Sequence, residues 1–223
     1  MNVGNSGQGI FPKNMKGRIM NVILLTSYAT LSDMERFAAL AALTCHAHTD
    51  KDYVPHEVLG RIIKAGHESI LEHITLTYSI KGLSRACLQE LARHRHISLS
   101  VESTRHTLKK QIREAEDSSL YPVPDVLADV WKSTRVFTDL MITRLRKNPD
   151  ISNDELKYYL PEFWPTNLIM TANIRELRHI IRLRTAPAAL REFRVLAYSL
   201  YEAVPDEFKY LLADCVYKET DNE

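Results

Sequence analysis

Apolar and polar positions alternate with two different periods along the chain and predict a mixed, helix-rich α/β protein with few strands. Residues 18–26 form a short run of leucine and β-branched side chains, which is typical of a strand. Within residues 70–81 every second position from 74 onward is apolar, which predicts another strand, and we expect Gly82 to end it. Residues 163–171 predict a further core strand.

Helical spacing of apolar residues occupies most of the remaining chain. Ser32 is expected to cap a helix over residues 32–44, with Glu35 at the capping-box position. The hydroxyl-rich residues 96–107 lack periodicity and predict a loop or a short strand. Strands and helices do not alternate regularly, which argues against a doubly wound sheet. Further helices are expected at residues 55–66, 83–95, 124–147, 153–160, 173–185 and 188–217, the last interrupted at Pro205.

The charge balance bears on the class of ligand. The chain has 29 Lys and Arg residues against 28 Asp and Glu residues, a net charge of +1. Binding to nucleic acid or to a membrane surface by bulk electrostatics requires a clear excess of positive charge, so we expect neither partner. Basic residues are concentrated locally, in residues 93–113 and 175–194, which favours a small anionic ligand.

Cysteine usage and the chain ends indicate the compartment and the domain organisation. The three cysteines are far apart and odd in number, which fits free thiols in a reducing compartment. No apolar run is long enough to span a bilayer, and residues 1–17 lack the apolar region of a signal peptide. We therefore expect a cytoplasmic protein with a disordered leader over residues 1–17, one domain over residues 18–217 and a polar tail over residues 218–223.

The helix expected at residues 83–95 carries charge on its apolar face. A rotation of about 100° per residue places His94 and Arg95 on the same face as Leu91, whereas Arg93 points away. A histidine in such a position is often a satisfied core residue. The pattern alone therefore leaves a structural role and a binding role open.

Arg184 continues the apolar stripe of the helix expected at residues 173–185. It lies on the line through Leu177 and Ile181, and no Asp or Glu lies one helical turn away. A guanidinium that is desolvated without a partner costs several kcal/mol, so a bound ligand is one candidate partner. An arginine near a helix end also extends readily to water, which is the alternative. The other cations are expected on the opposite side: Arg175, Arg178, His179 and Arg182.

The segment that begins at Arg93 is the most informative part of the chain. Over fourteen residues it holds three Arg, three His and four hydroxyl side chains, a composition that suits an anion site and is also typical of a solvated basic loop. Its spacing, Arg93-His94-Arg95 followed by Ser103 and then Arg105, resembles the signature of the flavin-dependent thymidylate synthases.

Three further segments resemble the same family, in the same order along the chain. They are residues 66–73, residues 160–161 and residues 173–184, so the resemblance extends from about residue 21 to about residue 217. It implies an α+β subunit in which helices flank a small, mostly antiparallel central sheet within a single domain. It also implies a homotetramer with active sites at the subunit interfaces.

The resemblance implies a methyltransferase that converts dUMP to dTMP. In this family 5,10-methylenetetrahydrofolate donates the carbon, NADPH reduces FAD, and the reduced FAD provides the hydride that makes the methyl group. The family needs no enzyme cysteine as a nucleophile, which agrees with the scattered cysteines here.

Site residues follow from the same resemblance, position by position. The expected flavin-binding residues are His67, Ser69, Glu72, Arg93, His94, Arg95, Asn173, Arg175 and His179. The expected dUMP-binding residues are Glu90, Arg93, Val101, Glu102, Ser103, Thr104, Arg105, Lys157 and Arg184. Arg184 is also the expected catalytic residue, because a guanidinium beside the pyrimidine stabilises charge that develops on the ring.

Several of these positions depart from the residues that are usual in the family. Val101 stands where a glutamate is common, and Glu102 is shifted by one position. Lys157 replaces a phosphate-binding arginine, so the charge remains but the bidentate fork is lost. His179 replaces an asparagine, and Glu90 replaces a glutamine. Other departures from the usual residues are at His106 and Ala188.

Two other classes of function fit parts of the sequence. A metal-dependent hydrolase would use histidines as ligands, but a His-x-His pair on a helix directs its rings about 200° apart, and adjacent arginines repel a cation. We therefore expect no metal site. A nucleic-acid-binding module could use the basic segment, but the near-zero net charge and the lack of an aromatic ladder argue against it. The histidines available to the hydrolase are His46, His48, His67, His73, His94 and His96.

Overall fold

A four-stranded antiparallel sheet forms the centre of the protein. The computed structural model describes residues 20–47, 52–118 and 131–218. The strand order is β1-β2-β4-β3, and each neighbouring pair is antiparallel, which confirms the α+β class. The strands in the described residues are β1 (Asn21–Leu24), β2 (Thr75–Ser84), β3 (Ile97–Val101) and β4 (Pro165–Asn173).

Eight α-helices of the described residues accompany this sheet. None of them is both long enough and apolar enough to cross a bilayer. The helices are α1 (Tyr28–Thr44), α2 (Pro55–Lys64), α3 (Arg85–Leu91), α4 (Thr104–Ser118), α5 (Trp131–Lys147), α6 (Asn153–Leu156), α7 (Ile174–Arg184) and α8 (Arg191–Glu202). Short 3₁₀ turns occupy Glu68–His73, Lys157–Tyr159, Asp206–Leu211 and Ala213–Cys215.

Apolar side chains form two clusters. In the larger one, alternate residues of β2 such as Leu76 and Ile80 are fully buried and belong with apolar residues of α1, α2, α3, α7 and α8. This alternation confirms the period of two that predicted the strand. The smaller cluster contains residues of α4, α5 and α6 together with the fully buried Trp164. Trp164 donates its indole N–H to Gln111 at 2.8 Å, so its polar atom is satisfied.

Gly82 lies within β2 and does not end it. The strand continues to Ser84, and its pairing with β4 shifts at this point, as in a β-bulge. The glycine has a φ of +78°, a conformation that favours glycine, and its N–H donates to Asn167 Oδ1 at 3.1 Å. The predicted start was also wrong, because residues 70–73 lie in a 3₁₀ turn and β2 begins at Thr75.

Serines in extended backbone set the starts of two helices, and both starts were predicted wrongly. Ser27 caps α1, where its side chain accepts a hydrogen bond from the N–H of Thr30 at 3.2 Å, so the predicted cap Ser32 lies inside the helix. Ser84 caps α3 in the same way and accepts from the N–H of Cys87 at 3.0 Å. Such caps satisfy N–H groups that the first helical turn leaves unpaired.

The segment predicted as a loop or short strand contains β3 and the beginning of α4. Helix α4 was missed because its sequence is strongly polar; Leu108, Ile112 and Ala115 are its buried apolar positions. The helices predicted from residues 55, 153, 173 and 188 are confirmed as elements, the last one beginning at Arg191, and so is the interruption at Pro205. The leader at residues 1–17 and the start of the helix predicted at 124–147 lie outside the described residues.

Arg178 on α7 is 1% exposed and joins three segments of the chain. Its Nε donates to Glu68 Oε1 at 2.9 Å, and its Nη1 donates to the carbonyl of Leu211 at 2.7 Å. Both terminal nitrogens bind the carboxylate of Asp214, each at 2.6 Å. The expectation that Arg178 faces the polar side of the helix is therefore wrong, because α7 is buried on more than one side.

The charges around Arg178 stabilise one another. Burial alone would lower the pKa of Arg178, but the hydrogen bonds to Asp214 and Glu68 raise it above its ordinary value. Burial likewise acts to raise the pKa of Glu68 and Asp214, and Arg178 overcomes it and lowers both. All three groups are thus charged near neutral pH, and together they form a clasp between α7, the turn before β2 and the C-terminal segment.

Arg178→Met should lower the free energy of unfolding by about 3 kcal/mol, because it leaves Asp214 without its bidentate partner and Glu68 with only the exposed Arg182. Chemical denaturation at a fixed protein concentration measures this change. Arg182→Met is the matched control on the same helix, since its side chain is 55% exposed and meets Glu68 at 3.4 Å. The control should lose less than about 1 kcal/mol. Equal losses in both variants would contradict the clasp.

Candidate active site

A chain of four polar side chains links α3, the turn after it and α7. Glu176 Oε1 lies 3.2 Å from His94 Nδ1. On the other side of the ring, Arg184 Nε donates to His94 Nε2 at 3.1 Å. Arg184 Nη1 donates to Glu90 Oε2 at 3.0 Å. Glu176, His94 and Arg184 are largely buried, whereas Glu90 is about half exposed. This series of polar side chains, called the polar chain below, therefore runs from the core to the surface.

Local structure positions each member of this chain. Asn173 caps α7 by accepting a hydrogen bond from the N–H of Glu176 at 2.8 Å, which places Glu176 in the first turn. Arg184 is the last residue of the same helix, and the Thr185 side chain closes that end. His94 comes three residues after α3 ends, and its backbone N–H still bonds to that helix.

Aromatic rings surround His94 and Arg184, the two central members of this series of polar side chains. The guanidinium of Arg184 lies over the ring of Phe193, 4.5 Å from its centroid. The rings of Phe193 and His179 meet His94 edge-on, with centroids 5.7 Å and 5.5 Å away. A cation above an aromatic face is stabilised further when water is excluded. Arg184 is therefore held from three sides, by His94, Glu90 and Phe193.

The hydrogen bonds determine which nitrogen of His94 carries the proton. An arginine Nε always donates, so Nε2 of His94 must accept and its proton lies on Nδ1, facing Glu176. Burial and the charge of Arg184 lower the pKa of His94 below its ordinary value, although Glu176 opposes this shift. His94 is therefore neutral near pH 7.

A cavity of about 540 Å³ lies beside Glu176 and His179. Its volume is within the range of small-molecule sites. Residues predicted to bind flavin line it, including Glu72, Asn173 and Arg175. Arg175 Nη1 donates to Glu72 Oε1 at 2.6 Å, and both side chains are about half exposed. The structure thus brings these predicted flavin residues together next to the polar chain.

A second polar group lies at the start of α4. Arg105 binds Asp154 through two hydrogen bonds, of 2.8 Å and 3.0 Å, and both side chains are more than half exposed. Asn153 joins α6 to α4 through the Arg105 carbonyl at 2.8 Å. The Arg105 guanidinium, with smaller effects from Lys157 and His106, lowers the pKa of Asp154. Two predicted phosphate-binding cations, Arg105 and Lys157, therefore act on the same carboxylate, that of Asp154.

The residues between β3 and α4 face different ways. Val101 and Ser103 are exposed, as a ligand contact requires, whereas Thr104 is buried at the first position of α4. Glu102 is half-buried, and its carboxylate accepts hydrogen bonds of 2.8 Å and 2.7 Å from amide side chains of α4 and β4. This segment thus presents Ser103 and Val101 outward and uses Glu102 to hold the connection in place.

The remaining predicted site residues are exposed. His67 and Ser69 lie at the 3₁₀ turn before β2, and Arg93 and Arg95 flank the buried His94. The expectation that Arg95 shares the apolar face is wrong, because α3 ends before it and the chain turns away. Within the described residues, no hydrogen bond or ion pair joins the Arg105 group to Arg184.

Two polar residues beside the site were not singled out from the sequence. Glu176 lies three residues after the cap Asn173, and that spacing of a capping residue and a glutamate is a signal that could have drawn attention to it. Asp154 lies within a capping box formed by Ser152 and Glu155 at the start of α6. Glu90, in contrast, was predicted, and it is the carboxylate partner of Arg184.

One group of three side chains among the described residues could hold a metal ion: His94, Glu176 and His179, whose ligand atoms lie within 4.8 Å of one another. Only His94 belongs to the ligand set of the hydrolase hypothesis, and His48 lies outside the described residues. His94 has no lone pair to offer, because Nε2 accepts from Arg184 and Nδ1 carries the proton. The geometry therefore favours an arginine-holding role over metal binding.

Comparison with known proteins shows the family. A family model described as "Thymidylate synthase complementing protein" matches residues 25–208. A flavin-dependent thymidylate synthase from Campylobacter jejuni (strain RM1221) is 41% identical over 182 residues, which cover 78% of this chain and 85% of that protein. The chain belongs to the flavin-dependent thymidylate synthase family. A second member, from Helicobacter pylori (strain J99), is 39% identical over 179 residues, or 75% of this chain and 83% of that protein.

Solved structures show that the chain has the fold of the flavin-dependent thymidylate synthases. Thymidylate Synthase X from Helicobacter pylori, with FAD and dUMP, matches with a TM-score of 0.73 at 32% identity, over 89% of this chain and 100% of that chain. The UMP/dUMP methylase PolB from Streptomyces cacaoi, bound with 5-Br dUMP, shares the fold with a TM-score of 0.59 at 19% identity. The family resemblance inferred from Arg93-His94-Arg95 and Ser103 is thus confirmed.

His94 should make the stability of this fold depend on pH. Its pKa is lowered in the folded chain, so the unfolded chain binds more protons, and stability falls as the pH drops below about 6.5. The charged or titratable groups that face it are Arg184, Glu176 and His179. His94→Gln keeps an acceptor for Arg184 but does not titrate, so its melting temperature should fall less than that of the wild-type protein between about pH 7 and about pH 5.

The exposed His73 supplies the control for this measurement. His73→Gln should follow the wild-type protein across the same pH range, because that side chain is exposed and makes no hydrogen bond or ion pair with residues 20–47, 52–118 or 131–218. Parallel curves for His94→Gln and the wild-type protein would mean that another group controls the acid sensitivity.

Proposed function

We propose that this chain is a cytoplasmic, homotetrameric enzyme that methylates dUMP to dTMP, with 5,10-methylenetetrahydrofolate as carbon donor and NADPH-reduced FAD as hydride donor. The main support is the position of Arg184: a largely buried guanidinium, held by His94 and Glu90, near a cavity that predicted flavin residues line. The relatives of this chain are named flavin-dependent thymidylate synthases, and one was solved with FAD and dUMP.

The cavity residues fit a flavin dinucleotide. Arg175, Arg182 and the histidines His96 and His179 provide positive or hydrogen-bonding groups around it, and Asn173 adds an amide. Guanidinium groups suit the pyrophosphate, and amide and imidazole groups suit the carbonyls and nitrogens of the ring system. When bound, reduced FAD supplies the hydride that completes the methyl group.

Arg184 binds the uracil in this proposal. Its guanidinium favours ionisation at N3 and stabilises negative charge on the ring as the ring carbon attacks the methylene group of the donor. Because the side chain is only 14% exposed, water screens this interaction less than it would at the surface. Glu90 balances the charge of Arg184 before dUMP binds. It is also the exposed member of the four polar side chains, and the nucleotide enters beside it.

Ser103, Arg105 and Lys157 bind the phosphate and sugar of dUMP, whereas Thr104, which was also expected there, is buried and does not present its side chain to the ligand. Arg105 offers a planar fork for two phosphate oxygens, and Asp154 orients that fork from α6. Lys157 adds charge without the fork, so it attracts the phosphate but does not fix its orientation. Asp154 has to share or release Arg105 when the phosphate binds.

The phosphate group and the uracil group meet across a subunit interface in this proposal. Among the residues that the structure describes, no hydrogen bond or ion pair joins the Arg105 group to the Arg184 group, so a second copy that supplies one of the two groups would complete the site. Apolar residues of α5 support subunit contact, because Val136, Phe137 and Leu140 are 66%, 48% and 59% exposed. Exposed apolar patches of this kind commonly mark protein interfaces.

A tritium-release assay tests the proposed reaction. The purified protein is incubated with 5-tritiated dUMP, NADPH, FAD and 5,10-methylenetetrahydrofolate, and tritium in water is counted. Release should require every component, and the protein should be yellow and lose its visible absorbance with dithionite. A colourless protein that releases no tritium and forms no dTMP would overturn the proposal.

Arg184→Ala should lower the rate of dTMP formation by about 10²–10³-fold, because it removes the charge that stabilises the reacting ring. Flavin content should not change, since the proposed partner of this arginine is the nucleotide. Arg175→Ala is the matched comparison and should show the opposite effect: the protein should lose flavin, and any loss of dTMP formation should follow from that. Normal turnover in Arg184→Ala would remove the arginine from the mechanism.

A further inference from the structure

Glu176 is a buried carboxylate to which the reaction assigns no task. It is 8% exposed, and its acceptor oxygen lies 3.2 Å from His94 Nδ1. A buried carboxylate is costly unless hydrogen bonds replace its water. Its backbone is fixed as well, since Asn173 caps the helix through the Glu176 N–H. The carboxylate therefore lies in one orientation, aimed at the ring of His94.

The proton of His94 decides whether Arg184 keeps its position. With the proton on Nδ1, Nε2 accepts from Arg184 Nε at 3.1 Å. With the proton on Nε2, two N–H groups would face each other, and the guanidinium would have to move. A neutral imidazole has both forms available, and the partner at one nitrogen selects between them. Glu176 accepts at Nδ1 and so favours the form that holds the arginine.

Arg184 has one hydrogen-bonding edge left for a substrate. Its Nε and Nη1 are engaged by His94 and Glu90, and the Phe193 ring covers one face of the guanidinium. Its Nη2 makes no hydrogen bond within the described residues. The direction of that remaining edge thus depends on the contact at Nε, which is the contact that the His94 tautomer controls.

We propose that Glu176 is a positioning residue: it keeps the proton of His94 on Nδ1, and His94 in turn aims Arg184 at the uracil. The proposal rests on the function assigned above, in which Arg184 contacts dUMP. Glu176 also lines the cavity proposed for flavin, but in this role it acts on the nucleotide only through His94 and Arg184. It acts through two side chains over the length of α7, from the first turn to the last residue.

Glu176→Ala and Glu176→Gln form the first test. The alanine variant loses the acceptor at Nδ1, so kcat should fall about 10- to 100-fold, as small misplacements of a catalytic group produce. The glutamine variant keeps an amide oxygen as acceptor and should retain activity within about threefold. Glu202→Ala is the control. It removes a carboxylate on α8 that pairs with Lys209 and does not belong to the series Glu176, His94, Arg184 and Glu90, so its rate should match the wild-type rate.

A double-mutant cycle separates positioning from a general structural role. In His94→Gln the amide oxygen can accept from Arg184, and no tautomer has to be chosen. Glu176→Ala should therefore cost less than about threefold in that background, although it costs far more in the wild-type protein. An equal loss in both backgrounds would show that Glu176 only supports the fold.

A spectroscopic measurement keeps the test independent of turnover. In protein with ¹⁵N-labelled histidine, the ring signals of His94 are identified by their absence in His94→Gln. The wild-type protein should show the Nδ1–H form, and Glu176→Ala should shift the signals towards the Nε2–H form. Unchanged signals in Glu176→Ala would overturn the proposal. An inactive wild-type protein in the tritium assay would instead overturn the proposed function.

Discussion

The buried guanidinium of Arg178 holds α7, and the candidate site is built along that helix. Its bidentate contact with Asp214 restricts rotation as well as position, and the bond to Glu68 ties the helix to the turn before β2. The first turn of α7 carries Glu176 and its last residue is Arg184. The directions of Glu176 and Arg184, the two members of the polar chain on α7, therefore depend on an ion pair near the middle of the helix.

The elements with strong periodicity were predictable, and their boundaries were not. Alternation in β2 follows from the burial of one face of the strand, and the helical spacing of Leu177 and Ile181 follows from the side of α7 that faces the apolar cluster. The starts of α1 and α3 depend on the extended backbone of Ser27 and Ser84, a property that apolar periodicity does not report. Gly82 was taken for a strand end because a glycine suits a break and a bulge equally well.

The residues of the candidate site that could be predicted from the sequence are the polar ones that lie on apolar faces of helices. His94 and Arg184 stood out as polar groups on apolar faces, and both are indeed largely buried. Their partners could not be read from helical geometry, because Arg184 and Glu90 are 94 residues apart in the chain. Arg178 was misplaced for a related reason: its partners come from distant segments that cover a side of α7 expected to meet water.

The clasp also constrains how the chain reaches its native state. Leu211 and Asp214, which bind Arg178, follow it by more than thirty residues in the sequence. While the polypeptide is being synthesised, α7 leaves the ribosome before Leu211 and Asp214 do, so that Glu68 is then the one partner of the clasp within reach of Arg178. Completion of the clasp that holds α7 therefore awaits residues 211–214, and a ribosome stalled before residue 214 would expose an incomplete core to chaperones and proteases.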